Sequence, residues 1–389
     1  MAGDVRRGAP GDPSREREAV NEPQSPRAAS PFHRVLSVLP YGVMAIVTVV
    51  DTSAGPEVGY LPLVSLGPAF AGLVGRWQRT VLIGALALLL CTALAEYNGL
   101  LGDRRGYTAM FSVVGVTAAG LVAVRMRQAR EAELASVRSI AETAQRVLLR
   151  PVPLAAGKLR IALSYTSAVA DARIGGDLYE VVTSPAGVRV IIGDVQGKGL
   201  EAVETAAVVL GAFREAAYDE PDLQGVGERV ERALDRHLSS EKFVTAIMAE
   251  IGDERAVTLL NYGHPAPLAV KSGGETCLLE PPARALPLGL GMHGTGPPQP
   301  HVHRFSPGDQ ILFYTDGVTE ARDRQGAFYS LAGCAALLAD IDADTALAAV
   351  RRDLIDHVRG PLQDDAAMLL LRYQGDSPPQ QTPRHPTPS

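Results

Sequence analysis

An acid set among glycines at the end of a strand constrains this chain more than any other feature. Residues Val188 to Ile192 are apolar and mostly β-branched, which predicts a buried strand. Gly193-Asp194-Val195-Gln196-Gly197-Lys198-Gly199 follows. Ala202, Val203, Ala206, Ala207, Val209 and Leu210 then predict a buried helix. Asp194 is therefore presented at a strand-to-helix turn, where glycines permit close backbone approach. Alone, the stretch also reads as a turn whose aspartate caps the helix.

Other acids share this setting. Asp177 stands in Ile174-Gly175-Gly176-Asp177-Leu178-Tyr179-Glu180, and Asp316 in Leu312-Phe313-Tyr314-Thr315-Asp316-Gly317-Val318. Asp364 and Asp365 immediately precede the predicted strand 366–372. Any one of these alone is an ordinary turn aspartate. Carboxylates converging from separate strand ends would make a hard-cation site, because the cation offsets their repulsion.

The charge distribution agrees. Residues 1–150 carry 16 Lys+Arg against 12 Asp+Glu, which leaves 21 against 31 in the remainder, since the whole chain has 37 and 43. The acidic second part argues against a nucleic-acid partner. The three cysteines, Cys91, Cys277 and Cys334, are scattered and form neither a disulfide framework nor a zinc spacing.

Five segments are expected. Residues 1–34 and 375–389 are Pro- and Ser-rich tails too poor in apolar residues to fold. Residues 35–124 hold four uncharged apolar runs, 35–50, 58–75, 80–95 and 107–124, which predict an all-α membrane domain of four helices. Arg76, Arg79, Arg125, Arg127 and Arg130 fall on one side of it and Asp51, Glu57, Glu96 and Asp103 on the other, with Arg104 and Arg105 as exceptions, which places both ends in the cytoplasm. Residues 125–150 predict a helical linker. Its Leu134, Val137, Ala141, Ala144 and Leu148 step as the seam of a two-stranded coiled coil, or as a stripe packed on the helix's own domain. The seam reading makes the chain a homodimer. In residues 151–374 the strands come in runs and pairs rather than in strict alternation with helices, which predicts an α+β domain of stacked antiparallel sheets rather than a doubly wound parallel sheet.

Six ordered motifs in residues 159–373 resemble the SpoIIE-type branch of the protein phosphatase 2C, or metal-dependent phosphatase, family. They are Gly175-Gly176-Asp177-Leu178-Tyr179-Glu180, the Gly193–Gly199 stretch, Asn261-Tyr262-Gly263-His264-Pro265-Ala266-Pro267-Leu268, Leu286-Pro287-Leu288-Gly289, Tyr314-Thr315-Asp316-Gly317-Val318-Thr319-Glu320-Ala321-Arg322, and Asp364-Asp365. The resemblance implies an αββα sandwich with two Mn²⁺ or Mg²⁺ ions. Asp194 would bridge them, and the Val195 carbonyl would take the place of the family's glycine carbonyl. Asp177, Asp316 and Asp364 would complete the ligands, with Asp365 the second choice of its pair. Water activated between the metals would attack phosphorus. The substrate implied is a phosphorylated STAS-type antagonist of an anti-sigma factor, and the enzyme would be a multi-pass protein of the cell membrane with its catalytic domain in the cytoplasm.

Several residues keep two readings. Arg173 is a phosphate-holding arginine or a surface arginine at a strand end. Lys198 neutralises phosphate or is a solvated turn lysine, the latter favoured. His264 reads as structural, and Glu320 and Arg322 as stabilising the loop after Asp316. Glu180 stands where the family has Asp, so that its longer side chain would alter any reach toward metal-held water. Two other functions compete: a catalytically inactive phosphatase-fold scaffold, and a nucleotide cyclase suggested by Gly175-Gly176-Asp177.

Overall fold

The structure is a computed structural model that describes residues 31–54, 60–167, 175–237, 242–252, 254–291, 296–339 and 342–375. Most of both predicted tails, and Arg173, lie outside the described residues. The chain divides into two compact units, Met1–Glu133 and Leu134–Ser389.

The described part of the first unit is helical: α1 (Pro31–Ala54), a 3-10 turn (Leu61–Ser65), α2 (Leu66–Val74), α3 (Trp77–Tyr97) and the beginning of α4 (Arg104–Leu148). Two of these helices, α3 and α4, are long and apolar enough to cross a membrane. The run 58–75 does not form the single spanning helix expected of it. Pro62 and Pro68 each favour the start of a helix, and the chain winds there as a 3-10 turn and a separate nine-residue helix. Nine residues rise only about 13 Å, against about 30 Å of hydrocarbon. Among the described residues, Met44, Val64, Ile83, Ala87, Cys91 and Val113 form the unit's buried centre. Ile46, Leu82, Leu89 and Phe111 point outward and exposed.

The second unit is built of antiparallel strands in two sheets. The strands are β1 (Ala155–Ala156), β2 (Leu159–Thr166), β3 (Asp177–Ser184), β4 (Gly187–Val195), β5 (Val244–Ile251), β6 (Ala256–Tyr262), β7 (Leu268–Val270), β8 (Thr276–Leu278), β9 (His301–Arg304), β10 (Gln310–Tyr314) and β11 (Ala366–Tyr373). One sheet has the order β1-β2-β11-β10-β7-β8, the other β3-β4-β5-β6-β9. The helices are α5 (Leu200–Asp219), α6 (Leu223–His237), the short α7 (Asp316–Thr319) and α8 (Ala343–Val358). Residues Leu331–Ala339 wind as a 3-10 helix.

Strand periodicity sorts the core into three layers of packing. Leu369, Leu371, Ile311 and Phe313 of one sheet meet Val190, Ile192, Ile247 and Ala249 of the other. The alternate residues Met368, Leu370 and Leu312 turn outward onto Leu347, Val350 and Leu354 of α8. Ile191, Met248 and Leu260 turn outward onto Val209, Phe213 and Val230 of α5 and α6. Both sheets are thus covered on both faces, which is why β11 reads as an unbroken apolar run rather than an alternating one. The result is the expected αββα sandwich.

The C-terminal end of α4 belongs to this unit and alters the reading of the coiled-coil seam. Ala141 is fully buried against Val203 of α5, with Ala144 and Leu148 beside it. Half of the stripe is therefore used within the chain, because an apolar stripe does not specify which surface covers it. Leu134 and Val137 remain exposed.

A histidine clasp joins the sheets. The Asn261 side chain accepts from the His264 N–H at 2.8 Å and donates to its carbonyl at 2.9 Å. His264 Nε2 lies 3.1 Å from the Tyr314 carbonyl on β10, to which it must donate. Nδ1 is therefore the acceptor for Thr245 Oγ1 of β5, 3.1 Å away. Burial lowers the His264 pKa to about 4. The unfolded chain binds a proton below about pH 6.5 that the fold refuses, so this group's contribution is intact above that pH and is lost as pH falls toward 4. We expect the full chain to lose about 3 kcal/mol more stability between pH 7 and pH 4 than its His264→Gln variant. Denaturant unfolding at the two pH values measures the difference, and equal losses would refute the assignment.

Candidate active site

The acids converge because of strand register. Asp177 opens β3 and Asp194 lies near the end of β4, and the two are direct partners across the pair. Side chains opposite each other on antiparallel strands share a face, so two carboxylates stand side by side. Gly176 makes the approach possible: a Cβ there would collide with the Val195 carbonyl oxygen and Asp194 Oδ1. Asp316 begins α7 directly after β10, and Asp364 and Asp365 precede β11, the strand paired with β10. All five predicted acids thus come from adjoining strand ends of the two sheets.

Thr315 holds the ends of the sheets together. Its hydroxyl donates to Asp177 Oδ2 at 2.8 Å and accepts from the Ala367 N–H at 3.0 Å. It is completely buried. Gly317 is packed as tightly, since a Cβ there would collide with the Asp365 carbonyl.

The electrostatics are those of crowded negative charge. Burial, then Asp194, pushes the Asp177 carboxyl well above its usual range, although the Thr315 hydrogen bond opposes this. Burial, then Asp316 and Asp364, raises Asp194 to about 7. Burial, then Glu320 and Asp364, raises Asp316. Lys198 Nζ reaches both carboxylate oxygens of Asp364 at 2.8 Å. It is an exposed lysine, as the solvated reading has it, and it is ion-paired with Asp364.

A donor set of carboxylates with excess negative charge fits a hard divalent cation. Among the described residues, however, no three acidic, His or Cys side chains are already drawn together around an ion position. Asp365 is occupied otherwise. Tyr165 donates its phenol hydrogen to Asp365 Oδ2, and Ser167 Oγ lies 3.3 Å from Oδ1. Asp364 is the more open member of the pair, and its carboxylate is held by Lys198 and by the Asp365 N–H.

Two further expectations are settled by contacts. Glu180 is ion-paired with Arg214 of α5, which also donates to the Leu148 carbonyl at 2.8 Å. It binds β3 to the helices and takes no part in the acid cluster. Arg322 lies over the Phe328 ring, 4.2 Å from its centroid, and the two residues form a bridge that closes the loop after Asp316. Sequence reasoning missed Thr315, Tyr165 and Gln145. Gln145 Nε2, on α4, donates to Tyr165 Oη at 2.9 Å.

Residues 184–374 match the family of Stage II sporulation protein E, SpoIIE. Asp177 lies just before the matched segment and is tied to it by its pairing with Asp194. The RsbU and RsbW domains of a Mycobacterium tuberculosis protein are similar in structure, with TM-score 0.51 and 25% identity over 59% of this chain. The match covers 64% of that structure's length. The SiaA-PP2C domain of Pseudomonas aeruginosa matches with TM-score 0.52 and 19% identity, over 63% of this chain and 99% of that domain. The fold of the second unit is therefore that of a PP2C domain.

The crowding has a measurable consequence. Groups whose pKa is raised by the fold stabilise it below the unfolded value near 4, and that contribution is lost as pH rises through the folded value. Without divalent cations at pH 7.5, Asp194→Asn should therefore stabilise the full chain by about 1–3 kcal/mol. With millimolar Mn²⁺ the order should reverse. A thermal shift assay in EDTA and in MnCl₂ reads both, and a variant less stable in EDTA would refute the account.

Proposed function

With a SpoIIE-family domain over residues 184–374 as the premise, we propose that the chain is a metal-dependent protein serine/threonine phosphatase. The observation that carries this reading is the opposed pair Asp177 and Asp194, joined at one sandwich end by Asp316 and Asp364. Asp177, Asp194, Asp316 and Asp364 would hold two Mn²⁺ or Mg²⁺ ions, with the Val195 carbonyl as a further oxygen. When bound, such ions supply Lewis acidity toward the phosphoryl oxygens and toward the attacking water.

The chain's own residues supply the rest. Thr315 fixes the Asp177 carboxylate and leaves its other oxygen for the site. Lys198 is exposed beside Asp364, where its ammonium can meet the negative charge of a phosphate. Arg173, four residues before Asp177, is the proposed second phosphate contact. His264 takes no proton in turnover, because both ring nitrogens are committed to the clasp. The cyclase alternative loses its support in this fold, since Gly175-Gly176-Asp177 leads into β3 of a PP2C sandwich.

The substrate proposed is a phosphoserine or phosphothreonine of a STAS-type anti-sigma factor antagonist. The RsbU and RsbW domains of the similar M. tuberculosis structure support this choice. Residues 35–124 are proposed to anchor the enzyme in the cell membrane through α3 and α4, two crossings that leave both ends of the pair cytoplasmic. The length and apolarity of α3 and α4 support the anchor, and Arg79, Arg125 and Arg127 support the orientation. Arg127 donates to the Gly75 carbonyl at 2.9 Å, and Arg125 lies over Trp77. The exposed Leu134 and Val137 are proposed to pair two chains.

Asp194→Asn and Asp316→Asn should each lower kcat on a phosphoserine peptide at least 1,000-fold at saturating Mn²⁺, with the far-UV circular dichroism unchanged, as expected when about 4 kcal/mol of transition-state stabilisation is removed. Wild-type chain without phosphatase activity at any Mn²⁺ or Mg²⁺ concentration would favour the scaffold alternative. For the anchor, an impermeant thiol reagent added outside intact cells should label a cysteine placed at Asp103 and miss one at Arg76. The reverse pattern would overturn the orientation.

A further inference from the structure

The acid cluster is attached to the linker helix by a short run of hydrogen bonds, all within the second unit. Gln145 Nε2 of α4 donates to Tyr165 Oη at 2.9 Å and lies 3.3 Å from the Gly175 carbonyl. The Tyr165 hydroxyl, on β2, donates to Asp365 Oδ2. The Asp365 N–H donates to Asp364 Oδ1 at 2.9 Å. Each partner has one direction open to it. The Gln145 amide N–H₂ is a donor only, so Tyr165 Oη accepts from it and turns its own hydrogen to the carboxylate.

Asp365 cannot easily leave this arrangement. It is 2% exposed, and its carboxylate lies so close to Gly175 that a Cβ there would overlap it. Its carbonyl is pressed against Gly317, the neighbour of Asp316. One residue thus sits between two proposed cation ligands. Its amide orients Asp364, and its carbonyl sets how closely the Asp316 turn can approach. Tyr165 is one of the side chains that hold this residue, with Ser167 beside it, and Tyr165 is itself met by Gln145 of α4.

We propose that Gln145 and Tyr165 are positioning residues for the proposed metal site, acting through Asp365 on the Asp364 carboxylate. This rests on the phosphatase reading only for its kinetic readout, because cation affinity reports on the site whether or not turnover occurs. When the Tyr165 hydroxyl is absent, the Asp365 carboxylate loses one of its donors and is held less tightly. Asp364 then has to be ordered by the cation itself, which weakens binding. When Gln145 is absent, the Tyr165 hydroxyl keeps its acceptor but loses the contact that fixes it, so a smaller effect of the same kind follows.

The test uses the full chain in detergent and Mn²⁺ as the probe. Tyr165→Phe should raise the Mn²⁺ concentration for half-maximal thermal stabilisation about 10-fold, and Gln145→Ala about 3-fold, as loss of one charged and one neutral hydrogen bond predicts. At saturating Mn²⁺, kcat and KM on a phosphoserine peptide should stay within twofold of wild type. Gln145→Ala made in the Tyr165→Phe background should add no further shift, because the amide acts through the phenol. A half-saturation concentration within twofold of wild type in either single variant overturns the proposal, and so does full additivity in the double variant. If Tyr165→Phe fails to fold, Gln145→Ala on the helix surface decides. If Mn²⁺ half-saturation shifts as stated but the wild type hydrolyses no phosphopeptide, the relay stands and the phosphatase reading falls.

Discussion

Two carboxylates held opposite each other on adjacent strands set the terms for everything around them. Asp177 and Asp194 would repel each other in any open setting, and burial makes the repulsion worse. The fold keeps them together because the strands cannot slip: moving the register by one residue would turn the apolar set of β3 and β4 away from the core. The sandwich's hydrophobic packing therefore supplies the free energy that forces the charges together. Thr315 and Lys198 are the local compensations, one a hydroxyl donor to Asp177 and the other a cation against Asp364. Burial in such a place is costly without a counter-charge, which is the physical reason to read the site as built for added cations.

The same logic accounts for how the site is supported. Every acid approaches from the end of a strand whose body is mostly buried. The clasp around His264 and the bridge through Thr315 each connect one sheet to the other near that end. A sandwich held only by apolar side chains could slide by small amounts. Directional hydrogen bonds across the two sheets remove that freedom where the acids need fixed separations.

What the sequence made legible was whatever rests on local pattern. The acids stand at strand ends because Gly176, Gly193 and Gly317 sit beside them, and the apolar runs that precede or follow them are long enough to be strands. Their partners were not legible. Thr315 meets Asp177 across 138 positions, and Tyr165 meets Asp365 across 200, so neither pairing leaves a local trace. Lys198 resembled any turn lysine until Asp364 was seen beside it. The stripe on α4 was correctly read as apolar, but periodicity reports only that a face is to be covered, and Ala141 found its cover on Val203 of the same chain. The second apolar run failed as a single helix because hydropathy weighed its side chains and not its two prolines.

The position of the last strand carries one more consequence, for how the protein is made. β11 does not close the edge of its sheet; it lies in the interior, between β2 and β10. Synthesis runs from the N-terminus, so α1 to α4 and ten of the eleven strands leave the ribosome first. Until residues 366–373 emerge, that sheet has a gap where its central partner belongs, and Asp364 has no strand to place it. A nascent chain at this stage exposes unpaired edges on both sides of the gap. Its acid cluster is also incomplete, because Asp364 and Asp365 take their places only with the final segment of the domain. A release factor or protease that ended the chain before β11 would leave an aggregation-prone remnant without Asp364 held in the cluster.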